Sequence, residues 1–249
     1  MRDKIILYSG EDTAGVNISS KLRENHDVTK LLEVSDVLSL EKLKIDPQTL
    51  CIVASKHASS SGKPCLTTHS PGNYDTSDYG GNPRQLSFAP ALYLQKALQL
   101  LDKKQKIKKI GYEVSLEATH HGPTALHNPI MFVEVGSSLK QWNDMSACSI
   151  AAETISELMN YSPGKKAKTA IGLGGGHYCR KFSRIKEYAI GHICPKHNLA
   201  YLDEYMLDEM ITKTVPKPDT VYVEWKGLGK EKKRILGLIE ETDLEVERI

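Results

Sequence analysis

The sequence predicts an α/β fold with a mostly parallel or mixed sheet, and three observations favour this class. Short apolar runs typical of strands alternate with helical patterns along the whole chain, as they do in α/β proteins. Hydrophobic residues make up 40% and charged residues 26% of the 249 residues, which is typical of a globular protein with a sizeable core. The chain has no internal repeat and no clean linker, so residues 1–249 are predicted to form a single domain.

The predicted strands are apolar or alternating runs bounded by turn residues. In chain order they cover residues 4–9, 50–55, 112–118, 131–136, 168–176 with its glycine-rich end, 187–195, 220–225 and 244–249. The predicted helices have apolar residues every three or four positions. They follow the first strand, with Ala14, Ile18 and Leu22 on one face, and then cover residues 87–104, 149–160, about 203 onwards, and 231–242.

A long segment without predicted elements covers residues 58–86 and is rich in Ser, Gly, Pro, Thr and Asn. Loops of this length are usually disordered or functional, so we expect this segment to carry function or to lack order.

The composition excludes several classes of protein. No apolar run approaches the ~20 residues of a membrane-spanning helix, and the N-terminus turns polar too soon for a signal peptide, so a cytoplasmic location without a membrane partner is predicted. The five cysteines include no C-x-x-C pair, which argues against a disulfide framework or a zinc ribbon and favours small buried side chains.

Net charge is only +2, but three short basic clusters occur at residues 103–109, 164–168 and 229–234. They could bind phosphates, or they could be solvated helix ends and loops.

The histidines fall at strand ends. His57, His120, His121, His177 and His192 lie at or near the predicted carboxyl ends of strands, and His69 lies in the long loop. Ligands of open α/β sheets bind outside these carboxyl ends, so the histidines are expected to converge although they are distant in sequence.

Two kinds of chemistry fit such a convergence. Neutral imidazoles bind zinc, and a zinc site can promote attack on an ester, although no standard metal-binding spacing is present. Alternatively, a histidine beside a carboxylate such as Glu117 or Glu134 acts as a general base without metal. The glycines Gly174, Gly175 and Gly176 could present backbone N–H groups to an anion, but the P-loop lysine and serine are missing, which argues against nucleoside triphosphate chemistry.

A specific combination of segments resembles the archaeal and plant type of D-aminoacyl-tRNA deacylase. The matching segments are SKHASS, LTTHSPGN, YGG, YEVSLEATHHGPT, MFVEVGSS, IGLGGGHY, GHICPKH and VEWKG, from about residue 50 to the end. The resemblance implies hydrolysis of the ester that joins a D-amino acid to the terminal ribose of tRNA, with zinc as cofactor. It also implies a three-layer α/β/α fold with a mixed sheet, of the phosphorylase/hydrolase type and similar to peptidyl-tRNA hydrolase.

The resemblance assigns roles to the residues that match its motifs. The catalytic set is His57, Glu117, His120, His121 and His177, of which His120, His121 and His177 would bind the metal. The substrate set is His69, Gly174, Gly175, Gly176, His192 and Lys196. His197 and Cys179 lie where the sequence departs from the family pattern and are left out of both sets. The implied partner is the acceptor end of D-aminoacyl-tRNA, and we expect a monomer.

Two other functions stay open at this point. A nucleoside phosphorylase or another metallohydrolase can share the fold, since fold does not fix chemistry. A non-catalytic tRNA-binding protein would bind without turnover and would give the histidines no role. Selectivity for D over L esters depends on pocket geometry that the sequence does not give.

Overall fold

We describe the fold from a computed structural model that covers residues 3–25, 30–164 and 167–249, with the side chain of Asn25 left out. The strands are β1 Lys4–Ser9, β2 Leu31–Val34, β3 Leu50–Ala58, β4 Cys65–His69, β5 Gly72–Asn73, β6 Gln85–Leu86, β7 Ala89–Pro90, β8 Glu113–Leu116, β9 Ile130–Ser137, β10 Lys168–Leu173, β11 Tyr188–Cys194, β12 Thr214–Val215, β13 Thr220–Val223 and β14 Glu245–Arg248. The helices are α1 Thr13–Asn25, α2 Ala91–Lys108, α3 Leu139–Trp142, α4 Met145–Asn160, α5 Glu204–Thr212 and α6 Lys232–Glu240.

The larger sheet has six strands in the order β2-β1-β3-β9-β4-β8. Strands β2, β1, β3 and β9 are parallel, β4 runs antiparallel to β9, and β8 runs parallel to β4. The sheet is therefore mixed. Because β4 reverses direction, the end of β4 is not at the same edge as the ends of β3 and β9.

The smaller sheet has four parallel strands in the order β11-β10-β13-β14. Its two faces are both covered by helices. Ala170 and Ile190 belong to the same core as α2, whereas Ile171 and Val221 pack with buried residues of α5 and α6. This half of the chain therefore has three layers, α/β/α.

Helices α1, α2 and α4 cover only one face of the six-stranded sheet. Ile52 and Met131 point into the core that these helices share with the smaller sheet. The opposite face carries Val53 and Phe132, which pack against irregular chain around residues 34–45 and not against a helix. This helix-free face is where polar side chains can meet solvent.

Side-chain caps explain where α1 and α4 begin. The carboxylate of Asp12 accepts the N–H of Gly15 at the start of α1, and that of Asp144 accepts the N–H groups of Ser146 and Ala147 at the start of α4. Such caps satisfy N–H groups that have no partner within the helix.

The predicted α/β class with a mixed sheet flanked by helices is confirmed. The absence of regular elements predicted for residues 58–86 was wrong, because this segment contains β4, a buried strand inside the larger sheet. Its sequence CLTTH is too short to show a period, and it becomes a strand by pairing with β8 and β9. The short edge strand β2 was also missed.

The five cysteines are free and buried, as predicted. Among the helices within the described ranges, none is long and apolar enough to cross a membrane.

Candidate active site

A cluster of histidines and carboxylates lies on the helix-free face of the larger sheet. Glu117 directly follows β8, His57 is the penultimate residue of β3, and Glu134 lies within β9. His177 follows the glycine-rich end of β10 in the smaller sheet, so the cluster is assembled from both sheets. A β-bridge between Glu117 and Tyr178 joins the two contributions.

Strand alternation explains why these side chains share a face. Successive side chains of a strand point to opposite faces, so His57 points to the same side as Val53, which lies in the helix-free core. Gly136 is the register partner of His57 on β9. A Cβ at Gly136 would lie 2.7 Å from Cδ2 of His57, so the glycine leaves room for the imidazole ring.

Glu117 is the centre of the cluster, and its side chain has no exposed surface. Its Oε1 lies 3.0 Å from Nδ1 of His57, and its Oε2 lies 3.2 Å from Nε2 of His177. The same Oε2 is 3.6 Å from Nε2 of His120 and 3.8 Å from Nδ1 of His69. One buried carboxylate thus faces four imidazole rings.

These short distances lack hydrogen-bond geometry. Both carboxylate oxygens of Glu117 and Nδ1 of His69 are buried without a hydrogen-bond partner. Unpaired buried polar atoms are costly, and a carboxylate is more costly than a neutral group. Nitrogen and oxygen atoms gathered in this way are suited to holding a cation between them.

His57 lies between two carboxylates and a phenol. Its Nδ1 is 3.6 Å from Oε2 of Glu134 as well as close to Glu117, and its Nε2 is 2.8 Å from the hydroxyl of Tyr178. Burial lowers the pKa of His57, but the two carboxylates outweigh burial and raise that pKa to about 12. His57 therefore stays protonated at neutral pH.

Glu134 has the opposite perturbation. Burial raises its pKa, the proton on His57 lowers it, and the nearby Glu117 raises it again, with a resulting pKa of about 7. The pKa of Glu117 is held well below its usual value, because His177 and His57 outweigh the effect of burial. The two carboxylates of the cluster thus differ in protonation near pH 7.

His69, His120 and His121 form a neutral group. Burial holds the pKa values of His69 and His120 well below normal and lowers that of His121 to about 4. Nδ1 of His120 donates to the carbonyl of Ala118 at 2.8 Å, and Nδ1 of His121 donates to that of Gly122 at 2.6 Å. These bonds leave both Nε2 atoms as acceptors, which is the tautomer that a metal ligand needs.

His121 also holds an unusual backbone. Its φ of 46° lies in the left-handed region, where a non-glycine residue costs roughly 1–2 kcal/mol. The conformation brings Nε2 of His121 to 3.1 Å from Nε2 of His69. Strain of this kind persists only where the surrounding structure imposes it, and it is concentrated at functional sites.

The cluster opens into a cavity of about 800 Å³. Four histidines and several acidic residues line it, and the full lining is Ser9, Glu11, Asp12, Ser35, Asp36, Val37, Leu38, Ser55, Lys56, His57, Ala58, Tyr79, His120, His121, Glu134 and His177. The histidine cluster is therefore reachable by a small group from solvent, although Glu117 itself is buried.

Comparisons with known proteins identify the family. The sequence profile described as D-aminoacyl-tRNA deacylase matches residues 45–247. A protein of Methanococcus maripaludis named D-aminoacyl-tRNA deacylase is 34% identical, over 99% of this chain and 100% of its own. One of the same name from Methanocaldococcus jannaschii is also 34% identical, over 98% of this chain and 99% of its own. The chain belongs to the D-aminoacyl-tRNA deacylase family.

A solved structure shares the fold of this family member. The crystal structure of a conserved protein of unknown function, AF0625, matches with a TM-score of 0.88 over 99% of this chain and 95% of that chain. The two sequences are 23% identical, so this likeness concerns the fold alone.

In this member of the D-aminoacyl-tRNA deacylase family, the structure brings together all five residues of the predicted catalytic set. His69, which was placed in the substrate set, also lies in the cluster, between Glu117 and His121. The metal set of His120, His121 and His177 stays a prediction; within the described residues, His120 and His121 form a possible metal-binding group with His69, whereas His177 forms one with His57 and Glu117. The parallel pairing of β4 with β8 brings His69 close to His121, and the sequence did not reveal β4.

The other predicted substrate residues lie outside the cluster. His192 is fully buried, its Nε2 donates to the carbonyl of Ser87 at 2.8 Å, and its Nδ1 accepts from the hydroxyl of Thr119 at 3.1 Å. Both of its ring nitrogens are thus bonded within the protein, which argues against the substrate-binding role predicted for it.

The glycine turn is partly committed to the fold as well. The N–H of Gly174 donates to the carbonyl of Cys194 at 2.8 Å, so it cannot serve an anion. Gly175 has a φ of 80°, and a Cβ there would lie 2.9 Å from Oε2 of Glu224. Gly176 is partly exposed beside His177. The backbone N–H of Lys196 donates to the carbonyl of Gly175, and the side chain of Lys196 is exposed.

Sequence reasoning missed Tyr178 and left Glu134 outside the site set. Tyr178 follows His177 directly, and only the bridge to Glu117 places its hydroxyl on His57. Glu134 is recognisable from the sequence as a carboxylate on an alternating strand, but its burial depends on the pairing of β9 with β3 and β4.

Several side chains of the basic clusters are paired with acidic residues. At residues 103–109, Lys104 lies 2.6 Å from Glu157 and Lys108 lies 2.5 Å from Glu153. At residues 229–234, Arg234 pairs with Glu231 at 2.9 Å. Two residues of the third cluster, 165 and 166, lie outside the described residues.

Proposed function

We propose that this protein hydrolyses the ester bond of D-aminoacyl-tRNA and releases free tRNA and the D-amino acid. One observation carries the proposal: a buried carboxylate, Glu117, is ringed by histidines at the wall of an open cavity. Family membership supplies the substrate class, because the relatives named above are D-aminoacyl-tRNA deacylases. No observation favours the phosphorylase alternative or a non-catalytic tRNA-binding protein.

His57 serves as a proton-holding group in this proposal and not as the base. A protonated imidazole donates from both nitrogens, so Nε2–H of His57 donates to the oxygen of Tyr178. The hydroxyl hydrogen of Tyr178 is then free to donate to an oxygen of the ester on which negative charge develops. Donors that are positioned in advance for such an oxyanion are a large source of catalysis.

Glu134 is the proposed general base. A base works best when its pKa is near the working pH, and the pKa of Glu134 is about 7. Its carboxylate lines the cavity, whereas Glu117 is held ionised by the surrounding histidines. In its ionised form Glu134 would accept a proton from the attacking water.

We extend the proposal to one zinc ion held by His69, His120 and His121. The three ligand atoms lie within 4.8 Å of one another, and the rings stay neutral, as zinc requires. The unpartnered Nδ1 of His69 and oxygens of Glu117 fit a cation nearby, because its charge would offset that of the carboxylate. When bound, zinc supplies a Lewis acid for ester hydrolysis.

Several expectations from the sequence stay predictions. They are the single domain over residues 1–249, the monomer, the cytoplasmic location, and the likeness to peptidyl-tRNA hydrolase. A tRNA substrate is consistent with the cytoplasm.

The test is hydrolysis of D-tyrosyl-tRNA and L-tyrosyl-tRNA by the purified protein, before and after chelation and with zinc restored. We expect release of the D-amino acid alone, loss of rate on chelation and recovery with zinc. Metal content is measured in parallel on His69→Ala, with His127→Ala as matched control, because His127 is exposed and lies outside the cluster. Release from neither ester would overturn the proposed function, and equal zinc content in both variants would overturn the metal site.

A further inference from the structure

Tyr79 is an exposed aromatic residue at the cavity that holds the histidine cluster. Its side chain lines the cavity together with His120 and His121, yet 74% of the residue surface is exposed. The ring takes no part in the mechanism proposed above. A ring that lines a cavity and stays uncovered presents a flat apolar face to whatever enters.

The backbone that carries this ring is held firmly. The carbonyl of Tyr79 accepts the N–H of Gly122 at 3.0 Å, and the carbonyl of Gly80 accepts from the side chain of Asn73 at 2.8 Å. Gly80 has a φ of 81° and packs so closely that a Cβ there would lie 2.4 Å from the carbonyl oxygen of Leu38. The exposed ring therefore projects from a fixed segment, which reduces the ordering that binding would require.

The position of Tyr79 relates it to the reacting ester. Gly122, whose N–H donates to the carbonyl of Tyr79, is the residue next to His121, so the backbone of Tyr79 is tied to the segment that carries the histidines, and Tyr79 lines the same cavity. A cavity of about 800 Å³ can admit an amino acid but not the body of a tRNA. The nucleoside that carries the ester then lies inside the cavity or at its mouth, and Tyr79 lines that space.

We propose that Tyr79 stacks on the terminal adenine of the tRNA acceptor end, an inference that rests on the proposed function and specifies its substrate contact. All tRNAs end in the same unpaired C-C-A, and unpaired bases are bound mainly by stacking on aromatic side chains. The contact would place the 3′-terminal ribose, and hence the ester, over the histidines. It would serve every tRNA equally, since it reads only the shared end.

The experiment compares two deacylated RNA minihelices that end in C-C-A, one intact and one with an abasic terminal sugar. Binding is measured by fluorescence anisotropy, so the result does not depend on turnover. In the wild-type protein we expect the abasic end to bind about 10-fold more weakly, in line with the effect of losing one stacked base. In Tyr79→Ala the two ends should bind equally well, and Tyr79→Phe should retain the wild-type difference.

The matched control is Tyr205→Ala, because Tyr205 is 54% exposed but lies on α5 under the guanidinium of Arg84. It should keep the wild-type preference for the intact end. An undiminished preference in Tyr79→Ala would overturn the inference while leaving the proposed deacylation intact. A preference that is retained there, together with altered discrimination between D-tyrosyl and D-alanyl esters, would place the amino-acid side chain on Tyr79 and would also overturn it.

Discussion

Burial and nearby carboxylates together give the histidines of the site two different protonation states. Glu117 and Glu134 both lie near Nδ1 of His57, so the pKa of His57 is raised. His121 is buried without such a pair of carboxylates, so its pKa is lowered. Identical side chains are thereby divided into a proton holder and candidate ligands. Which histidine is protonated depends on a few short contacts of individual side chains and not on the fold class.

The first prediction concerns Glu134. If its ionised form is the base, kcat should rise with pH through a midpoint near 7, since deprotonation creates the active form. Glu134→Gln should lower kcat by roughly 10²-fold and remove that rise. The measurement is kcat for D-tyrosyl-tRNA from pH 5.5 to 8.5, after subtraction of spontaneous ester hydrolysis.

The pH profile of kcat is compared with that of Tyr178→Phe, which removes the hydroxyl next to Nε2 of His57, whereas Glu134 lies near Nδ1. Tyr178→Phe should lower kcat without moving the midpoint. A midpoint that persists unchanged in Glu134→Gln would assign the titration to another group.

The second prediction concerns His192 and stability. Its pKa is about 4 in the folded protein, because of burial, against about 6.5 when unfolded. Between these values the unfolded state binds the extra proton, so the folded protein loses stability as the pH falls from 6.5 to 4. The two pKa values correspond to about 3 kcal/mol for this residue.

Urea unfolding of His192→Gln at pH 7.5 and pH 4.5, with chelator present, measures that contribution. The variant should be less stable at pH 7.5, because the bonds to Ser87 and Thr119 are disturbed, and should lose less stability on acidification. The other buried histidines keep part of the slope. An identical loss in both proteins would show that His192 does not titrate as described.

The residue scale is also where sequence reasoning reached its limit. It expected histidines at strand ends to converge, and His57 and His177 do meet at Glu117, although β8 runs opposite to β3. It could not identify the hydroxyl of Tyr178 or the burial of Glu134, since these depend on which strands pair. Nor could it reject His192, whose two bonds come from residues far away in sequence.

At the scale of elements, the basic end of α2 illustrates how a charged run can mislead. Residues 103–109 look like a phosphate-binding cluster, but Lys104 and Lys108 face Glu153 on α4. The cluster also precedes β8, whereas Glu117 follows that strand, so the two lie at opposite ends of the same strand. Exposed pairs of this kind contribute only about 0–1 kcal/mol to stability.

The third prediction follows from that placement. Replacing Lys104 and Lys108 together by Gln should change KM for D-aminoacyl-tRNA less than about twofold, since both ammonium groups are already paired. Lys196→Gln should raise KM and reduce the salt dependence of binding by about one phosphate contact. A larger effect of the double variant than of Lys196→Gln would restore the α2 cluster as a tRNA contact.

Most elements were predictable because their patterns are long. The apolar faces of α1, α2 and α4 and the runs of β1, β3 and β9 lie within a few residues of the predicted positions. β2 and β4 were not, because four or five residues carry too little periodicity to identify a strand. Loss of β4 from the prediction concealed the place of His69.

At the scale of the whole molecule, the two sheets share one core. Helix α2 belongs to the core that includes Ile52 of the larger sheet and Ile190 of the smaller one. The histidine cluster draws on both sheets as well. The shared core favours cooperative unfolding.

The fourth prediction is that the two sheets unfold together. The chain has two tryptophans, Trp142 in the half that contains β3 and β9, and Trp225 beside the smaller sheet. In Trp142→Phe and in Trp225→Phe, fluorescence of the remaining indole should give the same urea midpoint as circular dichroism of that variant. Midpoints that differ between the probes would divide the chain into two units and overturn the single domain.

Because residues from both sheets form the site, cutting the chain between the sheets would separate the site residues. Glu117 and four of the five histidines of the cluster precede residue 164, and His177 follows residue 167. A chain cut between α4 and β10 would yield two pieces, neither of which has the complete set. Any activity recovered on mixing them would measure fragment complementation, and the protein could then report whether two fusion partners meet.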